Sequence, residues 1–381
     1  MKKYKFAVIL LVIIVTAAVS VKPFILFFAK RQIRNTFKGS AVSIGACIFK
    51  PASLIAFKNI EIKKEPDYQV RIKEAKIRYS IFSLLKLSIL KAEIEGAVAG
   101  VNLGKKNTVD LIRQYLQEKA QERSLCKIKN AQVTNLRINL KSADLSLLAT
   151  ATLEVNPLKE IIHALELKVA SLGYRGLNLR DLDLTARQAP AEGRFYINEL
   201  SYNKLKIREI QGSAELKDKI LFLNSLSARL LDGSVSGSSF LRLEGDLSYN
   251  FKLNFLNLDL ERYVKDSEME EKLTLTGRLS GALLIEGKGA EFKVIAGNLY
   301  TLAGGTLAIK DAKSLENLSR RSGQSLGLLV EGFRDYHYNV GIMELSLDKG
   351  DLVCEVNLEG EKGKRDLTAV WHNFKWGREG L

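Results

Sequence analysis

Apolar and polar residues alternate with a period of two along most of this chain. The pattern is densest between Leu230 and Ile309, where it runs through Leu247, Tyr249, Phe251, Leu253 and Phe255, then Leu273 and Leu275, then Leu283 and Ile285. Successive side chains of a strand point to opposite faces, so this period predicts half-buried antiparallel strands. The reversals Asp232-Gly233, Glu244-Gly245-Asp246, Gly287-Lys288-Gly289 and Gly304-Gly305 supply the positive-φ positions of hairpin turns. The same reading predicts strands over residues 42–45, 57–63, 70–79, 89–103, 126–140 and 143–155. Further on it predicts strands over 338–348 and 352–359, with a last alternation through Leu367, Ala369 and Trp371.

Two stretches depart from period two. Residues 107–123 predict a helix capped by Asn107 or Thr108, with Val109, Ile112 and Leu116 on one face. Between 310 and 335, Leu315, Leu318, Leu326, Leu329 and Phe333 recur at near-helical spacing and predict a helix or helix pair that caps the open end of a sheet. The segment 157–165 after Pro157 fits either helix or strand. The run from Tyr174 to Leu182 is echoed by the run from Tyr202 to Ile210 at an offset of 28 residues. Such repetition predicts strands added along one axis, so that the sheet lengthens instead of closing into a ball.

Residues 6–21 form an unbroken apolar run that resumes at 24–29 after Lys22-Pro23. Joined, the two have the roughly 20 to 25 residues that a tilted helix needs to cross a bilayer. A single-pass anchor is the expectation, and a signal peptide cleaved near Ala18-Val19-Ser20 is its rival. The chain so read is mainly β: an N-terminal transmembrane helix, then an elongated antiparallel sheet, with a few short capping helices. Its regions are 1–38 (anchor and juxtamembrane segment), 39–155 (first β region, with the 107–123 helix) and 156–381 (repetitive β region, with the 310–335 helical segment).

The segments LLDGSVSGS, NFLNLDLERYV, LTGRLSGALLIEGKG and AGNLYTLAGGTL resemble the C-terminal signature of the AsmA-like family, and the tail is similar to its YdbH-type members. Residues 80–86, SIFSLLK, resemble a short turn of the same family. The resemblance implies that the sheet is curved into a groove, a membrane-anchored β-groove that moves phospholipid or another acyl lipid between the inner and outer membranes, with an outer-membrane or periplasmic partner. It also implies a cytoplasmic N-terminus, hence an inner-membrane protein with the bulk of its chain in the periplasm.

Composition narrows the rest. With 46% hydrophobic and 27% charged residues the 381-residue chain has a globular balance, and 28 Gly against 5 Pro suits many strands and tight turns. Three cysteines, Cys47, Cys126 and Cys354, neither form a disulfide framework nor stand at ligand spacing. The net charge of +15 is spread along strands, as at Lys204, Lys206 and Arg208, without interleaved aromatics, so a solvated face is read and not a nucleic-acid site. Lys30, Arg31, Arg34 and Lys38 suit anionic headgroups.

Chemistry-bearing motifs are sparse. Gly323-Gln324-Ser325-Leu326-Gly327 has the letters of a nucleophile elbow but lies in a helical context, which gives Ser325 no such role. His163, His337 and His372 are scattered, and no metal, cofactor or catalytic constellation is expected. The candidate functional residues are therefore the apolar set Leu247, Tyr249, Phe251, Leu253 and Phe255 as a lipid-facing surface, with Ser248, Asn250, Lys252 and Asn254 turned to solvent. Whether that set lines an open trough or a covered core stays open at this level. A second reading, from another class, is an envelope assembly protein that accepts a client strand at its sheet edge.

Overall fold

The computed structural model describes residues 21–374, apart from 105–126, 188–190, 243–247, 311–331 and the positions 38, 52, 81, 84–85, 87, 103, 159–160, 175, 203, 290, 302 and 334. In chain order the elements are helix α1 (residues 21–36), β1 (Ala41–Lys50), β2 (Leu54–Lys64), β3 (Tyr68–Arg78), β4 (Ser88–Asn102), β5 (Lys127–Lys141), β6 (Leu145–Asn156), β7 (Ile161–Tyr174) and β8 (Leu177–Arg187). There follow β9 (Ala191–Tyr202), β10 (Leu205–Lys217), β11 (Ile220–Leu230), β12 (Gly233–Arg242), β13 (Ser248–Asp259), helix α2 (Leu260–Asp266), β14 (Leu273–Leu275), β15 (Arg278–Lys288), β16 (Glu291–Thr301), β17 (Gly305–Ile309), β18 (Tyr336–Tyr338), β19 (Val340–Asp348), β20 (Asp351–Gly360) and β21 (Gly363–Trp371). The chain divides into two compact units, with the boundary falling inside β8.

In the first unit β1 to β7 pair in sequence order. Every joint is antiparallel except β4–β5, which is parallel, with Ser88 opposite Lys127 and Val101 opposite Leu140. An all-antiparallel sheet was expected, and this joint corrects it. Two parallel neighbours need a crossover of a dozen or more residues to carry the chain back to the same end. Residues 103–126 supply that length; the helix expected at 107–123 lies outside the described residues. The undecided stretch after Pro157 leads directly into β7.

The expected single-pass anchor, with the bulk of the chain placed in the periplasm, is not supported. Among the described residues no helix is long and apolar enough to cross a membrane. Lys30, Arg31 and Arg34 interrupt the apolar character of α1, and its Ile25, Leu26, Ala29 and Ile33 pack on the cluster of Val42, Ile44, Phe57, Ile60 and Ile62. That 3–4 spacing gives the helix one sheet-facing stripe, as in a covering helix of a globular domain. Residues 1–20 of the expected span lie outside the described residues.

In the second unit β9 to β13 and then β15, β16, β19, β20 and β21 form a continuous antiparallel meander. The stretch at Leu273 and Leu275 does not join it: β14 pairs with β17, and β17 with β18, in a small separate sheet. Likewise the strand expected over 338–348 is split into β18 and β19. Tyr336, the first residue of β18, is fully buried beside Phe333, Tyr338 and Leu358. Its Oη donates to Leu358 O, and the Tyr338 Oη donates to Thr276 O. Sequence reasoning assigned no element to α2; its signal is Asp259, whose carboxylate accepts from the Arg262 N–H at 3.1 Å and caps the first turn. The helical segment expected near 310–335 lies almost wholly outside the described residues.

Bulges interrupt the ladders at regular places. Asn135, Glu209, Ser225 and Asn257 stand at φ 53°, 51°, 52° and 56° beside register shifts in their pairings. An extra residue of this kind bends its strand and raises the local twist. The 28-residue sequence repeat has the same physical content, since it aligns Asp181 (φ 52°) with Glu209 (φ 51°).

Candidate functional site

Residues paired directly across neighbouring strands share a sheet face. In the second unit the register therefore builds one face from rows of apolar side chains. One row runs Gly237, Leu253, Leu283, Gly297, Leu345 and Cys354, and the row beside it runs Val235, Phe255, Gly281, Leu299, Met343 and Val356. A third row holds Ser239, Phe251, Ile285 and Ile295. The opposite face carries Lys252, Asn254, Asn298, Glu344 and Glu355, all exposed. An open hollow of about 650 Å³ extends over β13, β15, β16, β19 and β20 on this polar side, where Lys252, Asn254, Asn298, Glu344 and Glu355 line it.

The first unit has its own apolar face, through Ile62, Val70, Ala99, Ile138, Ala149 and Val169 on six consecutive strands. Its other face is charged, with Arg71 to Glu61 at 3.2 Å, Arg78 to Glu93 at 3.2 Å and Lys73 to Glu95 at 3.4 Å. Hydrogen bonds from Gln69 and Arg71 hold the Glu61 carboxyl below its usual range. Burial opposes the same effect at Glu93, where the bonds from Lys91 and Arg78 prevail and the carboxyl again lies low.

Of the five residues read from the sequence as the candidate surface, four are described and share the apolar face of β13. Tyr249 is buried, and Phe251, Leu253 and Phe255 are half-buried; Leu247 lies outside the described residues. On the other side Lys252 and Asn254 are exposed as expected, but Asn250 is buried and its amide donates to the Glu286 carboxylate at 2.6 Å.

Sequence reasoning missed the contributions of β12 and β16. In GSVSGSSFLR the alternation of Val235, Gly237, Ser239 and Leu241 is masked by small residues on both faces. The period-two signal in Ile295, Gly297 and Leu299 is likewise broken by its glycine, which lies between Leu283 and Leu345: a Cβ there would come within 3.0 Å of Leu283 Cδ1.

The surface is electrically neutral as well as apolar. Burial pushes the Tyr249 phenol up, and burial together with the neighbouring Glu355 carboxylate pushes the Cys354 thiol up, so both stay protonated at neutral pH. Among the described residues no group of three or more His, Cys, Asp or Glu side chains is placed to hold a metal ion. The three histidines are exposed: His337 Nδ1 lies 3.0 Å from Thr306 Oγ1, and His372 Nδ1 lies 2.8 Å from Asp351 Oδ2. Ser325 lies outside the described residues. What this arrangement offers a ligand is extended hydrocarbon contact across many strands.

A family model described as "YdbH-like: Intermembrane phospholipid transport protein YdbH" matches residues 128–365. No curated protein and no solved structure matches the chain.

Proposed function

The chain belongs to the YdbH-like family, and from that premise we propose that it carries phospholipids between two membranes along the apolar sheet faces of its units. The observation that supports this reading is the row through Gly237, Leu253, Leu283, Gly297, Leu345 and Cys354, in which six strands place small or apolar residues side by side. A lipid leaving a bilayer must keep its tails out of water. Each methylene transferred to an apolar surface contributes about 0.8 kcal/mol, so a strip of this kind offsets much of the cost of extraction. Similar rows repeated along successive strands make neighbouring positions nearly equal in energy, and movement along them then needs only a gradient of lipid. Acyl tails lie on Phe251, Leu253 and Phe255 in this reading, and headgroups face water.

The test is native mass spectrometry of the full chain purified in detergent, followed by incubation with phospholipid vesicles. Bound phospholipid, either co-purified or taken up, is the expected result. Protein that carries none and acquires none would overturn the reading.

A further inference from the structure

Among its described residues the apolar face of the second unit contains three buried hydroxyls without a hydrogen-bond partner; Thr301 Oγ1 on β16 lies beside the Tyr338 phenol, and the other two stand on neighbouring strands among hydrocarbon. Ser239 is 5% exposed and Tyr249 is 8% exposed, and neither Ser239 Oγ nor Tyr249 Oη has a hydrogen-bond partner. Ser239 stands in the row Leu223, Ser239, Phe251, Ile285; Tyr249 stands in the next row, Leu221, Leu241, Tyr249, Gly287. The two are diagonal neighbours on adjacent antiparallel strands, a relation that sets Cβ atoms about 7–8 Å apart. An unpartnered buried hydroxyl destabilises the empty protein, whereas alanine and phenylalanine would fill the same places without that penalty. Buried donors left idle in the empty state point to a ligand that brings acceptors.

The chemistry of that ligand follows from the surroundings. The neighbours are Phe251, Ile285 and the edge-on ring of Phe292, centred 6.4 Å from Tyr249, so the acceptor must arrive joined to hydrocarbon. Both hydroxyls are neutral donors, which suits an uncharged carbonyl better than a phosphate. On this face of β13, then, an apolar stretch (Phe255, Leu253, Phe251) leads up to a pair of neutral donors, as an acyl tail leads up to its ester in a diacyl phospholipid.

Resting on the carrier reading, we infer that Ser239 and Tyr249 are specificity-determining residues that donate hydrogen bonds to the ester carbonyls of a diacyl glycerolipid. They register the lipid on the sheet, with its tails running toward Phe255.

Ester-linked and ether-linked lipids separate this from binding by hydrocarbon alone. The full-length protein is exchanged against equimolar diacyl phosphatidylglycerol and its dialkyl ether analogue of equal chain length, and the bound ratio is read by native mass spectrometry. Wild type is expected to favour the diacyl lipid by at least about fivefold, as two neutral hydrogen bonds warrant. The Ser239→Ala/Tyr249→Phe double variant is expected to bind the two about equally, through loss of affinity for the diacyl lipid alone, with binding of the ether lipid as in wild type and a melting temperature no lower than wild type. Equal binding of both lipids by wild type, or an unchanged preference in the double variant, would overturn the assignment while leaving the carrier reading intact. Wild type that binds neither lipid would overturn both.

Discussion

The rings of Tyr249 and Phe292 meet edge to face, with centroids 6.4 Å apart, across the strand that lies between them. The residue between them is Gly287, paired with Tyr249 on one side and Phe292 on the other. The phenol occupies the space that a Cβ on Gly287 would need, and the Glu291 carbonyl closes it from another direction, so two aromatic side chains cover a glycine that has none. Phe292 in turn stacks on Phe374 at 5.1 Å, which ties the C-terminal segment to this end of the apolar face.

Gly287→Ala is expected to cost about 1–3 kcal/mol by overpacking. Part of that cost belongs to the Tyr249 ring and part to the Glu291 backbone. In a Tyr249→Ala background the same substitution is therefore expected to cost less, with a coupling of about 1 kcal/mol in a double-mutant cycle read by chemical denaturation. Equal costs in the two backgrounds would contradict the packing described.

Much of the architecture was legible in the sequence because its main signal, period-two hydrophobicity, reports directly which side of a strand is buried. The apolar face of β13 came from Tyr249, Phe251, Leu253 and Phe255 on that ground alone. What the period cannot report is which strand pairs with which. It gave no hint that β4 and β5 run parallel, or that Leu273 to Leu275 leaves the main sheet. Nor does it report a polar residue buried by its partner, as Asn250 is by Glu286. The N-terminal helix was misjudged for a related reason: an apolar run alone does not distinguish a membrane span from a helix that packs Ile25, Leu26, Ala29 and Ile33 on its own sheet. Ser239 was invisible because a serine among serines carries no pattern.

The bulges give a prediction that depends on backbone conformation alone. Glu209 at φ 51° sits where L-residues pay about 1–2 kcal/mol and β-branched ones more. Its ion pair with Arg229 at 2.8 Å is exposed and contributes little. Thermal unfolding should therefore place Glu209→Gly near or above wild type and Glu209→Val about 1–2 kcal/mol below it. A valine variant as stable as the glycine variant would show that the strand reverts to regular pairing and that the bulge is not fixed by the fold.

The central claim is that an uncovered apolar face holds lipid, and adjacent residues of β13 test it most directly. Phe251 is half-buried on the apolar side, and Lys252 is exposed on the other. A carboxylate at 251 in a closed core would meet a penalty of several kcal/mol and unfold the unit, whereas on an open face water remains at hand. The measurement is phospholipid bound per folded chain, by native mass spectrometry, for Phe251→Glu and Lys252→Glu, with circular dichroism establishing the fold of each. Phe251→Glu is expected to fold and to lose most of its lipid, and Lys252→Glu to keep it. A folded Phe251→Glu protein with the lipid load of wild type would contradict the claim, and a Phe251→Glu protein that cannot fold would show that this face is a covered core.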